Sequence, residues 1–325
     1  MTSMSKQNAE SRMSAVSRRN VLQGLGAAVA GTALVGVGSA APTKNPFDTP
    51  NSNYQRGEGA SVTGDGDDVW TFSTTTRSGK PAQLGIWVTS DAFEHLTSQS
   101  TSQHLHLDFP DVTDLTYTFA GIDWNPTGHP PADVWTTPHF DFHYYFVEEA
   151  AIDELVTPSP IPFMGVATYD IPEPFWPERY VYETPRFIVK QMGEHIYDET
   201  SPEWDPDVPF THTYIYGAYD FAIDPASPDG TVDLPLGPDG SLVALPTYNG
   251  SGTGQLTFTE PMITEAFMRD VAASAEGEVS TAVPTPAVFP EAGYYPTSYT
   301  TRYVGSADAY AITLEEFAWF DAYSA

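Results

Sequence analysis

This chain contains no cysteine, and only 13 of its 325 residues are lysine or arginine, against 43 aspartates and glutamates. The absence of cysteine excludes thiol catalysis, iron–sulfur clusters, type 1 copper sites and zinc sites built from thiolates. It also fits folding in a reducing compartment, where disulfides are rare. The sequence has no Gly-x-Ser-x-Gly motif, phosphate-binding loop or dinucleotide fingerprint, so three common classes of active site are disfavoured.

Positive charge is scarce throughout, and the formal net charge is -30 at pH 7. The acidic residues are spread along the chain, which indicates a surface coated with carboxylates and not an acidic tail. Such a surface suits molar salt, where exposed charges are screened within about 3 Å. We therefore predict a halophilic protein. Nucleic acid and anionic lipid are disfavoured as partners because both require clustered Lys and Arg.

Residues 1–40 have the pattern of an export signal. Arg18 and Arg19 precede an apolar stretch rich in Gly and Ala that runs to about Val37, as in twin-arginine signal peptides. The stretch is short and only mildly hydrophobic for a membrane span, which needs about 20 residues. We expect cleavage after Ala40, no stable membrane anchor, and an extracellular or cell-surface location. Because this pathway exports folded proteins, often with a cofactor inside, a bound metal becomes somewhat more plausible.

The rest of the chain divides into a predicted flexible linker, 41–67, and a β-rich globular domain, 68–325. The linker is rich in Pro, Asn, Gly and Asp, which are typical of loops. In the domain, period-two alternation predicts many strands, beginning with a hairpin that turns at 78–81. Short helices are predicted at 91–96 with Asp91 as N-cap, at 147–155, from near Pro261 to 275, and at 313–323 with Thr313 as N-cap. The prediction is an α+β fold, mainly β: a single antiparallel domain, sandwich or barrel-like, with a few short peripheral helices.

Several phrases carry a resemblance to a known family. They are WNPTGHPP at 124–131, PHFDFHYY at 138–145, MGEH at 192–195, PFTHTYIYGAYD at 209–220, FTEPMIT at 258–264 and GYYPTSY at 293–299. In this order they resemble a family of exported prokaryotic proteins of unknown function, typified by a thermophile protein under extracytoplasmic sigma-factor control. The resemblance covers most of residues 68–320. It implies a β-rich fold and no settled activity.

The run 139–146 alternates ionisable side chains with large aromatic ones. If the run is a strand, Phe140, Phe142, Tyr144 and Phe146 share one face, and His139, Asp141, His143 and Tyr145 share the other. The aromatic face is predicted to be core. The opposite face must then meet water, a cavity or a second polar layer.

Distances along a strand limit how these side chains can share a metal ion. Neighbouring members of the polar face lie about 6.6 Å apart, whereas His139 and His143 lie about 13 Å apart. Only one of the two histidines can therefore join Asp141 at one ion. The further candidate ligands, all within the phrases that carry the resemblance, are His129, His195 and Glu260. A set of imidazoles and carboxylates suits a divalent transition metal such as zinc, or iron or manganese if carboxylates dominate.

Other interpretations remain open for the same residues. The polar face of the run 139–146 is also consistent with a hydrogen-bonded network that fixes the sheet, or with acid–base chemistry that needs no metal. His104, His106 and Asp108 alternate in a similar way, but they lie where the resemblance is weak, which favours a solvated strand edge. His212 shares a face with aromatic residues and is interpreted as a packing residue.

Two functions follow from these observations. The favoured one is a non-catalytic envelope protein that binds a ligand or assembles with copies of itself; a metal held at the His/Asp cluster is an optional refinement of this prediction. The alternative is a metal-dependent hydrolase or lyase that uses the region of His139, Asp141 and His143, where an ion would activate water.

Overall fold

The computed structural model describes residues 47, 52–155, 163–236, 239–251 and 254–324. The signal peptide predicted for residues 1–40 lies outside the described residues and stays a prediction. Within the described ranges, no helix is long and apolar enough to cross a membrane.

Strands dominate the described chain, and the helices are few and short. The helices are α1 Ser90–Thr97, α2 Glu149–Asp153 and α3 Glu265–Ala273. The strands are β1 Ser52–Ala60, β2 Val69–Thr76, β3 Pro81–Thr89, β4 Gln103–Asp108, β5 Phe119–Asn125, β6 His139–Tyr145, β7 Phe163–Ala167, β8 Tyr180–Tyr182, β9 Phe187–Val189, β10 Glu194–Asp198, β11 His212–Tyr219, β12 Gly230–Leu234, β13 Val243–Tyr248, β14 Gln255–Thr264, β15 Glu278–Ala282, β16 Gly293–Tyr295, β17 Ser298–Val304, β18 Ala309–Glu315 and β19 Ala318–Phe320.

Two larger sheets carry the fold. One has the strand order β1-β2-β3-β18-β17-β15, and the other has the order β4-β5-β6-β14-β11-β10-β8. All strand pairs inside these two sheets are antiparallel. A four-stranded sheet, β12-β13-β7-β9, and the pair β16-β19 complete the described sheets. The predicted fold class, α+β and mainly β with short helices, is confirmed.

Aromatic side chains fill the space between the two larger sheets. Tyr144 on β6 donates a hydrogen bond of 2.7 Å to the carbonyl of Ile312 on β18. Tyr214 on β11 stacks on Tyr299 of β17 at 5.4 Å between ring centroids. These contacts place the predicted aromatic face of β6 in the core, where each fully buried large side chain contributes roughly 1.5–3 kcal/mol.

The opposite face of β6 is buried as well. All seven residues of the strand are buried, and a second apolar cluster packs near this face around Trp135, Phe210, Ile215 and Met262. A strand covered on both sides normally consists of apolar residues. Here one buried face carries two histidines and an aspartate beside Tyr145, so these groups must find partners inside the protein.

The predicted linker is ordered over part of its length, which corrects the boundary between linker and domain. Ser52–Ala60 forms β1 and pairs with β2 at the edge of the six-stranded sheet. Tyr54 stacks on Phe72 at 5.6 Å and accepts a hydrogen bond of 3.2 Å from the indole of Trp70. Pairing and aromatic packing outweigh the Gly-rich composition that predicted a loop.

Of the two helices predicted in the last third of the chain, one is confirmed with a later start and the other is wrong. Pro261 lies inside β14, and α3 begins at Glu265, where the hydroxyl of Thr264 accepts a hydrogen bond from the backbone N–H of Phe267. The run 313–323 forms the end of β18 and then β19 instead of a closing helix. Strand β18 is hydrogen-bonded on both sides, to β3 and β17, and this pairing overrides a weak helix propensity.

The two earlier helices are confirmed in position but differ in detail. Helix α1 covers the predicted run, although its N-cap is Thr89 and not Asp91. Helix α2 has only 5 residues, Glu149–Asp153, within the predicted range 147–155. The hairpin predicted to turn at 78–81 is present as β2 and β3.

Gly217 on β11 is required by close packing near the polar face of the sheet. A Cβ atom at this position would lie 2.0 Å from the ring of Phe258 on β14. That ring lies 4.8 Å from the ring of His143 and 5.5 Å from that of His195, measured between centroids. A side chain at position 217 would therefore displace a ring that packs against both histidines.

We expect Gly217→Ala to lower the free energy of unfolding by about 2 kcal/mol or more, because a tightly packed ring must move. Gly305→Ala is the control, since its Cβ would lie 3.6 Å from the nearest atom, and its effect should stay below about 0.5 kcal/mol. Denaturant unfolding in molar salt measures both. Equal losses for the two variants would contradict the packing described here.

Candidate functional site

The histidines of this chain are concentrated beside one face of the seven-stranded sheet. Residues opposite each other in antiparallel strands point to the same face. The register pairs Asp123 on β5 with both His104 on β4 and Asp141 on β6. The chain has eight histidines, and six lie on this face or in its adjoining loop: His104, His106, His129, His139, His143 and His195.

Three of these side chains converge at the middle of the sheet, and we call them the central triad: His143 of β6, His195 of β10 and Glu260 of β14. Glu260 Oε2 lies 3.6 Å from His143 Nε2 and 3.7 Å from His195 Nε2. One ligand atom from each residue lies within 4.8 Å of the others. His143 and Glu260 have side chains only 1% exposed, whereas the His195 side chain is 16% exposed.

The central triad leaves buried polar atoms unsatisfied. Both ring nitrogens of His143 and the Oε2 atom of Glu260 lack a hydrogen-bond partner among the described residues. Separations of 3.6 and 3.7 Å exceed the usual 2.7–3.2 Å of such bonds. Each buried group left without a partner costs about 1–3 kcal/mol. Two of these atoms, His143 Nε2 and Glu260 Oε2, face each other without a partner between them.

The electrostatics of the central triad follow from its burial. Burial, together with the nearby carboxylates of Asp141 and Asp123, raises the pKa of Glu260 well above its ordinary value. Burial, together with the nearby His143 and His129, lowers the pKa of His195 to about 3. At neutral pH His195 therefore has an unprotonated ring nitrogen available as a ligand.

Asp123 positions His143 from the neighbouring strand. Its Oδ2 atom lies 3.2 Å from His143 Nδ1, and its Oδ1 atom contacts His104 Nδ1. Burial alone would raise the pKa of Asp123, but His104 and His143 lower it overall. The carboxylate is thus kept charged and faces Nδ1, which leaves Nε2 of His143 directed toward Glu260. Asp123 was not among the residues predicted from the sequence. Gly121, Asp123 and Asn125 nevertheless lie at every second position of β5, as the polar residues of β6 do on that strand.

A second group lies where the loop between β5 and β6 meets β6, and we call it the loop triad: His129, His139 and Asp141. Asp141 Oδ1 lies 3.1 Å from His139 Nε2, and Asp141 Oδ2 lies 3.3 Å from His129 Nε2. The amide of Asn125 donates a hydrogen bond of 2.7 Å to Asp141 Oδ2. The His139 side chain is fully buried, whereas the His129 side chain is 34% exposed.

The charge on Asp141 controls the electrostatics of the loop triad. Burial would raise the pKa of Asp141, but His139 and His129 lower it overall. Burial would likewise lower the pKa of His129, but the Asp141 carboxylate and the carbonyl of Pro130 raise it to about 9. Without a bound cation, His129 is therefore protonated at neutral pH.

All six predicted ligands are brought together, in two triads instead of one site. The run 139–145 is extended, as predicted, and its polar face is buried beside histidines from distant segments. His139 and His143 belong to different triads, in agreement with the distance between them along a strand. That these residues bind a metal stays a prediction.

The remaining candidates lie outside both triads. His106 on β4 has its Nδ1 atom 2.7 Å from Glu149 Oε1 and a side chain only 13% exposed, so this part of the edge strand is less solvated than predicted. His212 packs against Phe267 at 4.4 Å, and its Nε2 atom lies 3.4 Å from the hydroxyl of Thr281. It is half-buried and packs as predicted for a core residue.

We expect Asp141→Asn to lower the pKa of His129 in the metal-free protein from about 9, because burial is then opposed only by the carbonyl of Pro130 and by Glu183. In the wild type, the pKa of His129 in the folded state lies above its unfolded value of about 6.5. The protonated ring therefore stabilises the fold fully below pH 6.5, and this stabilisation is lost as the pH rises toward 9. NMR titration of the His129 ring measures the shift. Asp123→Asn is the control, and an equal shift in both variants would contradict the pairing of His129 with Asp141.

Comparisons with family models, with curated proteins and with solved structures gave no match to this chain. The resemblance to a family of exported β-rich proteins stays a prediction. The function must therefore be inferred from the side chains of the two triads.

Proposed function

We propose that this chain is an exported, halophilic metal-binding protein that holds a divalent transition-metal ion, such as zinc, between His143, His195 and Glu260. One observation carries the proposal: buried nitrogen and oxygen atoms of the central triad converge without hydrogen-bond partners among the described residues. A cation is the simplest species that satisfies an imidazole nitrogen and a carboxylate oxygen at the same point.

The spacing of the atoms supports a metal ion over a proton. Two ligands at about 2.0–2.1 Å from a tetrahedral zinc ion lie about 3.3 Å apart. The separations from Glu260 Oε2 to the nitrogens of His143 and His195 are 3.6 and 3.7 Å. They are close to that spacing and longer than hydrogen bonds, so a small contraction around an ion would complete the geometry.

The charge around the central triad also favours a cation. Glu260 is buried close enough to Asp141 and Asp123 for their carboxylates to raise its pKa. A bound dication would favour the ionised form of Glu260 and reverse that shift. Two imidazoles with one carboxylate form a donor set used by zinc and by non-haem iron(II). Asp123 facing the far nitrogen of His143 matches the carboxylate–histidine arrangement that orients metal ligands.

Zinc should raise the melting temperature of the metal-free wild type by roughly 5 °C at one hundred times the dissociation constant. We expect Glu260→Gln to lose one equivalent of bound zinc and much of this rise. Without metal, its melting temperature should not fall below that of the wild type, because no buried acid then faces other carboxylates. Elemental analysis and thermal unfolding in molar salt measure these effects.

His212→Gln is the matched control, since it removes a half-buried histidine of the same sheet outside both triads. It should keep the zinc content and the zinc-dependent rise of the wild type. Equal zinc content and an equal rise in Glu260→Gln and the wild type would reject the central triad as a metal site.

The non-catalytic form of the proposal is the simpler one, in which the ion joins β6, β10 and β14. Assembly into a homo-oligomer stays a prediction, because the structure describes one chain. A metal-dependent hydrolase or lyase is the second candidate, and one observation favours it. The central triad supplies three protein ligands and one of them, His195, is 16% exposed, as in catalytic zinc sites, which keep a position for water.

A cobalt-substituted protein distinguishes the two candidates. If a coordination position is open, we expect azide to change the visible spectrum of the cobalt(II) form, because azide would occupy that position. The same addition should still change the spectrum of His129→Gln, in which the loop triad lacks a ligand, and should give no change in the His129→Gln/Glu260→Gln double variant. A wild-type spectrum that is insensitive to azide would reject the catalytic candidate and leave the non-catalytic one standing.

A further inference from the structure

We infer that a second divalent transition-metal ion binds between His129, His139 and Asp141, and that it fastens the loop 126–138 to strand β6. This inference uses none of the ligands of the central triad. Either site can therefore be occupied when the other is not.

The hydrogen bonds of the two histidines fix which ring nitrogen carries a proton. The Nδ1 atom of His139 lies 2.6 Å from the carbonyl of Thr137, and that of His129 lies 2.8 Å from the carbonyl of Pro130. A carbonyl oxygen only accepts hydrogen bonds, so both Nδ1 atoms must donate. In the neutral rings the Nε2 atoms are then unprotonated, and both point at the carboxylate of Asp141.

Two lone-pair nitrogens facing a carboxylate repel it unless a positive charge lies between them. Protons on both rings would give charge-assisted hydrogen bonds of about 2.7–2.9 Å. The observed separations are 3.1 Å for His139 and 3.3 Å for His129. Within the described part of the chain, His139 Nε2 and Asp141 Oδ1 have no hydrogen-bond partner although both are buried. The separations match the spacing of about 3.3 Å between two ligands of a tetrahedral ion.

The surroundings hold the three ligands in place as a metal site requires. Backbone carbonyls orient both imidazoles through their Nδ1 atoms, and Asn125 orients the carboxylate of Asp141. Such outer contacts are typical of metal-binding histidines and carboxylates. Two nitrogen donors and one oxygen donor favour zinc or a similar transition metal over magnesium or calcium, which prefer oxygen ligands alone.

The loop that supplies His129 also covers the polar face. The backbone N–H of His129 donates to the carbonyl of Trp135 at 3.1 Å. Gly128 has a φ of +65°, and a Cβ there would lie 2.0 Å from that same carbonyl. Trp135 is 4% exposed and packs in the cluster that includes Ile215 and Met262, the register neighbours of Glu260 and Asp141. An ion at the loop triad would therefore hold in place a segment that shields both triads.

Zinc stoichiometry tests this inference in the full mature chain, folded in molar salt and dialysed against zinc-free buffer. We expect two equivalents in the wild type, one in His129→Gln, one in Glu260→Gln and none in the double variant. His129 is chosen because it is 34% exposed, so its replacement leaves the core intact. His212→Gln should keep two equivalents, and circular dichroism checks that each variant is folded.

The outcomes separate this inference from the proposed function. If His129→Gln retains two equivalents of zinc, the second site alone is overturned. The same holds if the wild type binds one equivalent that Glu260→Gln removes and His129→Gln keeps. One equivalent that His129→Gln removes and Glu260→Gln keeps would overturn the central site alone. Wild-type protein without zinc would overturn both.

Proton NMR of the cobalt(II) form gives a second measurement. Ligation through Nε2 leaves the Nδ1 protons of His129 and His139 bound to backbone carbonyls, so both should give shifted, slowly exchanging signals. His129→Gln should remove both signals, because it loses the ion that shifts them. Persistence of the His139 signal at its shifted position in that variant would contradict the assignment.

Discussion

Burial of both faces of strand β6 is the constraint on which the rest of this structure depends. Its aromatic face packs into the space between the two larger sheets, and its other face is buried near a second cluster around Trp135 and Phe210. Water cannot satisfy polar groups in that position, so His139, Asp141 and His143 must be satisfied by neighbouring strands and loops. The neighbours supply His129, His195 and Glu260, and the result is two triads on one face of the sheet.

The scarcity of positive charge explains why histidine has this role. Most of the arginines in the described part of the chain pair with carboxylates, as Arg269 does with Glu94 at 2.6 Å, and exposed pairs of this kind weaken in high salt. A permanent cation placed opposite each buried carboxylate of the polar face would be costly to desolvate. Histidine avoids this cost because it can be buried as a neutral ring and still supply a nitrogen to an ion.

The site was more predictable than the helices, for a physical reason. Period-two alternation on β6 shows which side chains share a face without any knowledge of partners, and distance along the strand separates His139 from His143. Asp123 followed the same pattern but was missed, because its run looked like an ordinary core strand. The end of the chain was wrongly predicted as helical because composition reports local preference, whereas β18 is decided by pairing with β3 and β17. Which loop histidine meets which strand depends on sheet order, and that order is absent from local patterns.

The ladder between β14 and β6 is interrupted near the middle of the seven-stranded sheet. The described ladder pairs Thr259 with Tyr144 and next Met262 with Asp141, so it skips the positions of Glu260 and Pro261. Proline has no N–H to donate, and the centre of the seven-stranded sheet is therefore a seam with fewer hydrogen bonds. An ion held by Glu260 and His143 would clamp that seam at its weakest point. Such an ion would mainly slow the separation of β6 from β14. For a protein that unfolds irreversibly, the rate of unfolding sets its lifetime.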